Sequence, residues 1–169
     1  MKRNQISNNI LARAESTLYF LEHAFKYANM RANDIAWQRS VLIMLSYAFE
    51  LILKAKIVLT STKENINDIN QELKGLGHNI QKILCELDDR DALPSMKITS
   101  YQVSKNGSFR QYEINFDDKK QLVVEDFVDI RYDYIETALR EVASHEIVIE
   151  YIDKMIELSR NVNSREGSN

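Results

Sequence analysis

Apolar residues recur at steps of three and four over two long stretches in the first third of the chain. The first stretch runs from Ile6 to Met30, and its apolar positions are Ile10, Ala14, Leu18, Leu21, Phe25 and Ala28. This spacing predicts a helix with one apolar face. The second stretch begins after Asn33 or Asp34, either of which can cap a helix, and extends to about Leu59. Its apolar residues surround the helix axis, which predicts a central helix packed on several sides.

Shorter elements are predicted in the middle of the chain. Residues 60–77 are polar and end in two glycines, which predicts a short helix and a stop, and another helix begins at about His78. The segments KITSYQV and FRQYEIN are β-branched, aromatic and partly alternating, with the turn-forming Asn-Gly pair between them. This pattern predicts a small β-hairpin over residues 97–116. A loop is the alternative, because an isolated hairpin is marginal unless it packs on another element.

The last element is predicted to be a long helix from about Val123 to Val162. At 100° per residue, one face carries Phe127, Arg131, Tyr134, Ala138, Val142, His145, Ile149, Ile152 and Ile156, all within about 60° of one line. Four helices, three of them long, predict an all-α antiparallel four-helix bundle with the hairpin inserted before the last helix. We expect one domain over residues 1–163 and a frayed tail over residues 164–169.

Composition agrees with a helical fold and restricts the kind of ligand. The chain of 169 residues has only 4 glycines and 1 proline, which is typical of long helices with few turns. Its net charge of −3 gives no overall basic field, so binding of nucleic acid requires a local basic patch. Three dispersed histidines and a single cysteine have no metal-ligand spacing, and no Gly-rich phosphate loop is present. Neither a metal nor a cofactor is therefore predicted.

The cellular location is also indicated by a few residues. The lone Cys85 excludes an internal disulfide and suits the reducing cytoplasm, where we expect the protein. The most apolar run, SVLIMLSYAFELILKAKIVL, carries Glu50, Lys54 and Lys56. Charges within this run make it a poor membrane span, so no membrane association is predicted.

Three sequence fragments occur in a characteristic order along the predicted bundle. FELILKAKIVL places Glu50 and Lys54 inside an apolar run, and GLGHNIQKIL places His78 at the opening of a helix. DIRYDYIE places Arg131 and Tyr132 early in the last helix. With these fragments in this order, the chain resembles the HEPN superfamily (higher eukaryotes and prokaryotes nucleotide-binding).

The resemblance covers roughly residues 35–145, apart from the predicted hairpin, and implies a four-helix bundle, a homodimer and a role around RNA or nucleotides. Many HEPN proteins are metal-independent RNases of toxin–antitoxin or phage-defence systems, and others are non-catalytic partners of small nucleotidyltransferases. The RNases resemble one another in an arginine followed after four to six residues by a histidine, a spacing that Arg140 and His145 match. We therefore expect an RNA- or nucleotide-associated binding or regulatory module. The alternatives are a metal-independent endoribonuclease and a non-catalytic scaffold, such as the partner of an antitoxin or nucleotidyltransferase.

Arg140 and His145 have the chemistry that RNA cleavage needs. A histidine that titrates near neutral pH can take a proton from a ribose 2′-hydroxyl or give one to the leaving oxygen, and an arginine can hold the phosphate. Five residues of regular helix turn through about 500°, however, so the two side chains are predicted to point roughly 140° apart. The competing interpretation is a core or interface histidine and an exposed arginine that pairs with Glu136.

Polar residues within the predicted core form a second candidate site. Glu50 lies in the apolar central helix and Arg131 on the apolar face of the last helix, so each needs a partner. We expect these two to meet, with Lys54 one turn from Glu50 and with His78 or Tyr132 nearby. If the role of this cluster is structural, the salt bridge between Glu50 and Arg131 fixes the register of the two helices. As a functional cluster, Arg131 and Lys54 bind the phosphate of a nucleotide or an RNA end.

Overall fold

The computed structural model describes residues 2–27, 35–106, 109–126 and 145–163. Within these ranges, helices come first along the chain, a small antiparallel sheet follows, and a further helix comes last. The helices within these ranges are α1 (Arg3–Tyr27), α2 (Ile35–Thr60), α3 (Ile66–Leu76), α4 (Ile80–Asp89) and α5 (His145–Val162), with a short 3-10 helix over Pro94–Met96. The strands are β1 (Ile98–Asn106), β2 (Phe109–Phe116) and β3 (Gln121–Glu125).

The hydrophobic core is built around α2. Helices α1, α4 and α5 pack against α2, and β3 reaches it from the sheet. Buried apolar residues follow one another around its axis, as the continuous apolar pattern predicts: Val41, Leu45, Ala48, Phe49, Ile52, Leu53, Ala55, Ile57 and Val58. A polar residue that lies among these buried positions of α2 needs a partner.

The prediction of an all-α four-helix bundle is wrong, because the structure contains a three-stranded antiparallel sheet in the order β1-β2-β3. Strands β1 and β2 pair over the range predicted for the hairpin, from Ile98 opposite Phe116 to Asn106 opposite Phe109. The third strand lies where the last helix was predicted to begin, and Val123 pairs with Glu113. With only five residues, QLVVE is too short for its two-residue alternation to be distinguished from the start of an apolar helix.

One face of the sheet is part of the core, which explains why the hairpin is stable. Tyr112, Ile114 and Phe116 alternate along β2 and are buried, and Leu122 and Val124 of β3 are buried beside them. In the register of the sheet, Tyr112 lies opposite Val124 and Ile114 opposite Leu122. A third strand and a helix layer therefore supply the packing that an isolated hairpin lacks.

Asp126, directly after β3, connects the sheet to the start of α4. Its buried carboxylate accepts hydrogen bonds from the backbone N–H of Ile80 at 3.0 Å and from the hydroxyl of Tyr112 at 2.9 Å. Burial, together with the negative charge of Asp126, raises the pKa of Tyr112. The phenol therefore stays protonated and remains a donor, and the first turn of α4 is fixed against β2.

Lys154 connects α5 to the opposite end of β2. Its ammonium is buried, lies 4.4 Å from the ring centre of Phe116, and donates to Asp118 at 2.9 Å and to Glu157 at 3.0 Å. Burial alone would lower the pKa of Lys154, but the hydrogen bonds to both carboxylates outweigh it and raise the pKa. The buried lysine therefore stays charged and links the helix to the β2–β3 connection.

Several sequence predictions fall on residues outside the described ranges. These include the middle of the predicted last helix, with Arg131, Tyr132 and Arg140, and the tail over residues 164–169. Within the described ranges, no helix has both the length and the apolar character required to cross a membrane.

The Tyr112–Asp126 hydrogen bond is tested by Tyr112→Phe. We expect the free energy of unfolding to fall by about 1–3 kcal/mol, because the variant loses a buried hydrogen bond to a charged group. Urea denaturation followed by circular dichroism measures the change. The matched control is Tyr19→Phe at an exposed position of α1, where we expect a change below about 0.5 kcal/mol. Equal values for both variants would contradict the role assigned to Asp126.

Candidate functional site

Glu50 is a buried carboxylate in the middle of α2, with only 1% of the residue exposed. The ammonium of Lys54, one turn later on the same helix, lies 2.7 Å from its Oε1. The Nδ1 atom of His78 lies 3.0 Å and 3.2 Å from the two carboxylate oxygens. In the tautomer that carries a proton on Nδ1, His78 donates a hydrogen bond to this carboxylate. The buried charge is thus held by two donors from different parts of the chain.

The segment GLGHN places His78 between two helices. Helix α3 ends before Gly77, whose φ of 62° lies in the left-handed region that glycine adopts without strain. Asn79 then caps α4, and its side-chain oxygen accepts a hydrogen bond from the N–H of Lys82 at 3.0 Å. A helix stop followed at once by a helix start leaves His78 in the connection, where 54% of its side chain is exposed.

Basic side chains gather around this α3–α4 connection. Lys82 extends its ammonium to the carbonyl oxygen of Gly75 at 2.6 Å. Arg110 of β2 lies 3.7 Å from the carboxylate of Asp126, which itself holds the start of α4, and 44% of the Arg110 side chain is exposed. We refer to Lys54, His78, Lys82 and Arg110 as the basic patch.

Acidic and basic groups of this region are separated by depth. The two carboxylates that hold the basic patch, Glu50 and Asp126, are buried, whereas His78, Lys82 and Arg110 are exposed. Glu125, half-buried at the end of β3, is a further carboxylate close to Asp126 in sequence. Ammonium, guanidinium and imidazole groups held in this way present hydrogen-bond donors to an anion in solvent.

Across the four described ranges, no three His, Cys, Asp or Glu side chains are grouped so that they fit a metal ion. The donor groups of the basic patch suit recognition of an anion.

Three of the residues predicted for the buried polar cluster, Glu50, Lys54 and His78, are in direct contact. Arg131 and Tyr132 lie outside the described ranges, so the expected contact of Glu50 with Arg131 stays a prediction. The predicted catalytic pair also stays a prediction. Arg140 lies outside the described ranges, and His145 is described only as the first backbone position of α5.

Sequence reasoning missed Lys82, Arg110 and Asp126. A signal for Arg110 is present, because the alternation of FRQYEIN places it on the same face of the strand as Tyr112. Asp126 can be recognised as a candidate site residue only when QLVVE is interpreted as a strand. Its position at the end of that strand then places it at the edge of the sheet, close to the connections between other elements. Lys82 looks like an ordinary exposed helix residue.

Comparison with known proteins gives no relative for this chain. The sequence matches no protein-family model, and no curated protein and no solved structure resembles it significantly. The resemblance to HEPN proteins therefore rests on the three sequence fragments alone.

The Glu50 cluster is tested by comparing Glu50→Ala with His78→Ala. We expect Glu50→Ala to lower the free energy of unfolding by about 2–4 kcal/mol, because it leaves Lys54 without its carboxylate and opens a gap in the core. His78→Ala removes an exposed partner and should cost less than about 1 kcal/mol. Chemical denaturation of both variants at neutral pH measures the difference. Similar small losses for both would contradict a buried, paired Glu50.

Proposed function

We propose that the protein is a binding or regulatory module for RNA or for a nucleotide, and that the basic patch receives the phosphate of this ligand. One observation carries the proposal: the exposed side chains of Arg110 and His78 contact the buried carboxylates of Asp126 and Glu50, and Lys54 also contacts Glu50. Phosphate oxygens are acceptors that match these donors, and arginine and lysine both bind them well.

The fixed geometry of the patch reduces the cost of binding. His78 is held through Nδ1 by Glu50, and Lys82 is held by the carbonyl oxygen of Gly75. Side chains that are already ordered lose less conformational entropy when a ligand arrives. The buried carboxylates also cancel part of the positive field, so we expect weak, salt-dependent binding, with dissociation constants on the order of micromolar or higher.

The net charge of −3 fits a local patch better than a general nucleic-acid surface. The resemblance to HEPN proteins supports the same class of ligand. The same resemblance implies that the protein forms a homodimer and that its partner is a cognate antitoxin or a nucleotidyltransferase. The lone Cys85 favours a cytoplasmic location for these interactions.

RNA binding is tested by fluorescence anisotropy with a short labelled single-stranded RNA and with labelled ATP. We expect His78→Ala and Arg110→Ala each to weaken binding by about three- to tenfold. Between 50 and 200 mM salt, each variant should also lower the slope of log affinity against log salt concentration by about one, which corresponds to one lost phosphate contact. The control is Lys63→Ala, which removes an exposed lysine of the α2–α3 connection. Equal affinities for the wild type and all three variants, or no binding by the folded wild type, would overturn the proposal.

A metal-independent endoribonuclease is the second candidate function. The spacing of Arg140 and His145 favours it, and the pairing of His78 with a buried carboxylate adds a histidine whose orientation suits proton exchange. In this alternative, a histidine takes the proton of the 2′-hydroxyl, and the 2′-oxygen attacks phosphorus. The protonated histidine then gives this proton to the leaving 5′-oxygen, and the products are a 2′,3′-cyclic phosphate and a 5′-hydroxyl.

Incubation of labelled cellular RNA with the protein in EDTA separates the two functions. The binding module is expected to leave the RNA intact in the wild type and in His145→Ala and His78→Ala. Cleavage by the wild type that disappears in His145→Ala would establish the endoribonuclease and make Arg140 the next residue to replace. Cleavage that disappears only in His78→Ala would place the chemistry in the basic patch.

A further inference from the structure

A polar cleft of about 510 Å³ lies where several helix ends meet. Its walls are the first turns of α1, the last turn of α2, the connection between α4 and the 3-10 helix, and the end of α5. The cleft is distinct from the basic patch. Lys56, which lines it, follows Glu50 by six residues of α2, which is about 9 Å farther along the helix and about 240° around it.

Lys56 places a positive charge in the wall of the cleft. The residue is only 7% exposed, and its ammonium donates to the carbonyl oxygen of Val162 at the end of α5 at 3.3 Å. The negative end of the α5 dipole stabilises a cation at this point. The lysine is therefore held in a fixed position, with its charge directed to the region where α2 and α5 end.

Arg90 gives the cleft a second fixed cation. Its guanidinium donates to Glu72 and Glu86 and to the carbonyl oxygen of Ile57. Burial alone would lower the pKa of Arg90, but the hydrogen bonds to Glu86 and Glu72 outweigh this effect and raise it. Both carboxylates lie outside the lining of the cleft and balance the charge of Arg90. Arg90 thus contributes a rigid wall with several hydrogen-bond donors to the cleft, and little net charge.

Neutral hydrogen-bonding groups cover much of the remaining surface. The lining includes the amide side chains of Asn4, Asn8 and Asn163, and the hydroxyl of Ser95. The amide of Asn163 donates to the side-chain oxygen of Asn8 at 3.4 Å across the cleft. Amide groups both donate and accept, so they suit hydroxyl-rich or amide-rich ligands. Asp91 also lines the cleft and offsets part of its positive charge, which argues against a polyanion such as RNA.

We propose that this cleft binds a small polar metabolite that carries one carboxylate or phosphate group on a body with several hydrogen-bonding groups. The anionic group lies at Lys56, and the amides of Asn4, Asn8 and Asn163 bind the polar body. The volume lies within the range of about 300–1,000 Å³ that is usual for small-molecule sites. The proposal does not depend on RNA binding at the basic patch, because the two sites share no residue.

Titration of the ¹⁵N-labelled full-length protein with three probes tests the cleft. The probes are glucose 6-phosphate, gluconate and, as the uncharged control, glucose. We expect saturable amide shifts in the cleft segments around Asn8, Thr60 and Ser95 with at least one of the two anionic probes, and none with glucose. A response to glucose 6-phosphate alone assigns the anionic group as phosphate, and a response to gluconate alone assigns it as carboxylate. No response to either, or shifts centred on His78, would overturn the proposal.

Two variants test the binding mode. Lys56→Met keeps most of the length of the side chain and removes its charge, and we expect it to weaken binding by at least about tenfold, which corresponds to 1.4 kcal/mol. Asn8→Trp, at an exposed position of α1, fills the cleft without removing a buried charge and should abolish binding. Lys120→Met, at an exposed position of the β2–β3 connection outside both sites, is the control and should bind like the wild type. Undiminished binding by Asn8→Trp would overturn the proposal even if Lys56→Met fails to fold.

Discussion

The buried carboxylate of Asp126 determines the geometry of the candidate site. It accepts hydrogen bonds from the first turn of α4 and from Tyr112, so helix and sheet meet at one charged group. His78 lies two residues before Ile80, and its position therefore follows from this contact. Without the carboxylate, a backbone N–H and a phenol would be buried without an acceptor, which is more costly than the hydrogen bonds are favourable.

The two ends of β2 have opposite arrangements of charge. At its start, near Arg110, the carboxylate is buried and the cation is exposed. At its end, the ammonium of Lys154 is buried, and its partners Asp118 and Glu157 are exposed. Each pair stays satisfied, yet one end presents a cation to solvent and the other presents carboxylates. The exposed guanidinium of Arg110 thus gives the start of β2 a local positive charge, even though the net charge of the chain is slightly negative.

Local patterns predicted the elements that depend on local interactions. The long helices α1 and α2 follow from their apolar periodicity, and the contact of Glu50 with Lys54 follows from their spacing of four. Strand β3 depends instead on pairing with β2, and its five residues contain too little pattern to show it. The bundle prediction was wrong for this reason, and Asp126 was missed with it. The contact of His78 with Glu50, 28 residues away, was not predicted as such: the need of Glu50 for a partner pointed to Arg131, with His78 or Tyr132 nearby.

The polar residues of α2 form a stripe along one side of the helix. Ser46, Glu50 and Lys54 follow at steps of four; Ser46 accepts a hydrogen bond from the N–H of Glu125, and Glu50 holds His78. Replacing a buried ion pair by apolar side chains of similar volume is often neutral or stabilising, so an apolar residue at position 50 would serve the core at least as well. What an apolar residue would not do is hold an exposed imidazole and a lysine in fixed positions. The ion pair is therefore better explained by the surface it organises than by the core it interrupts.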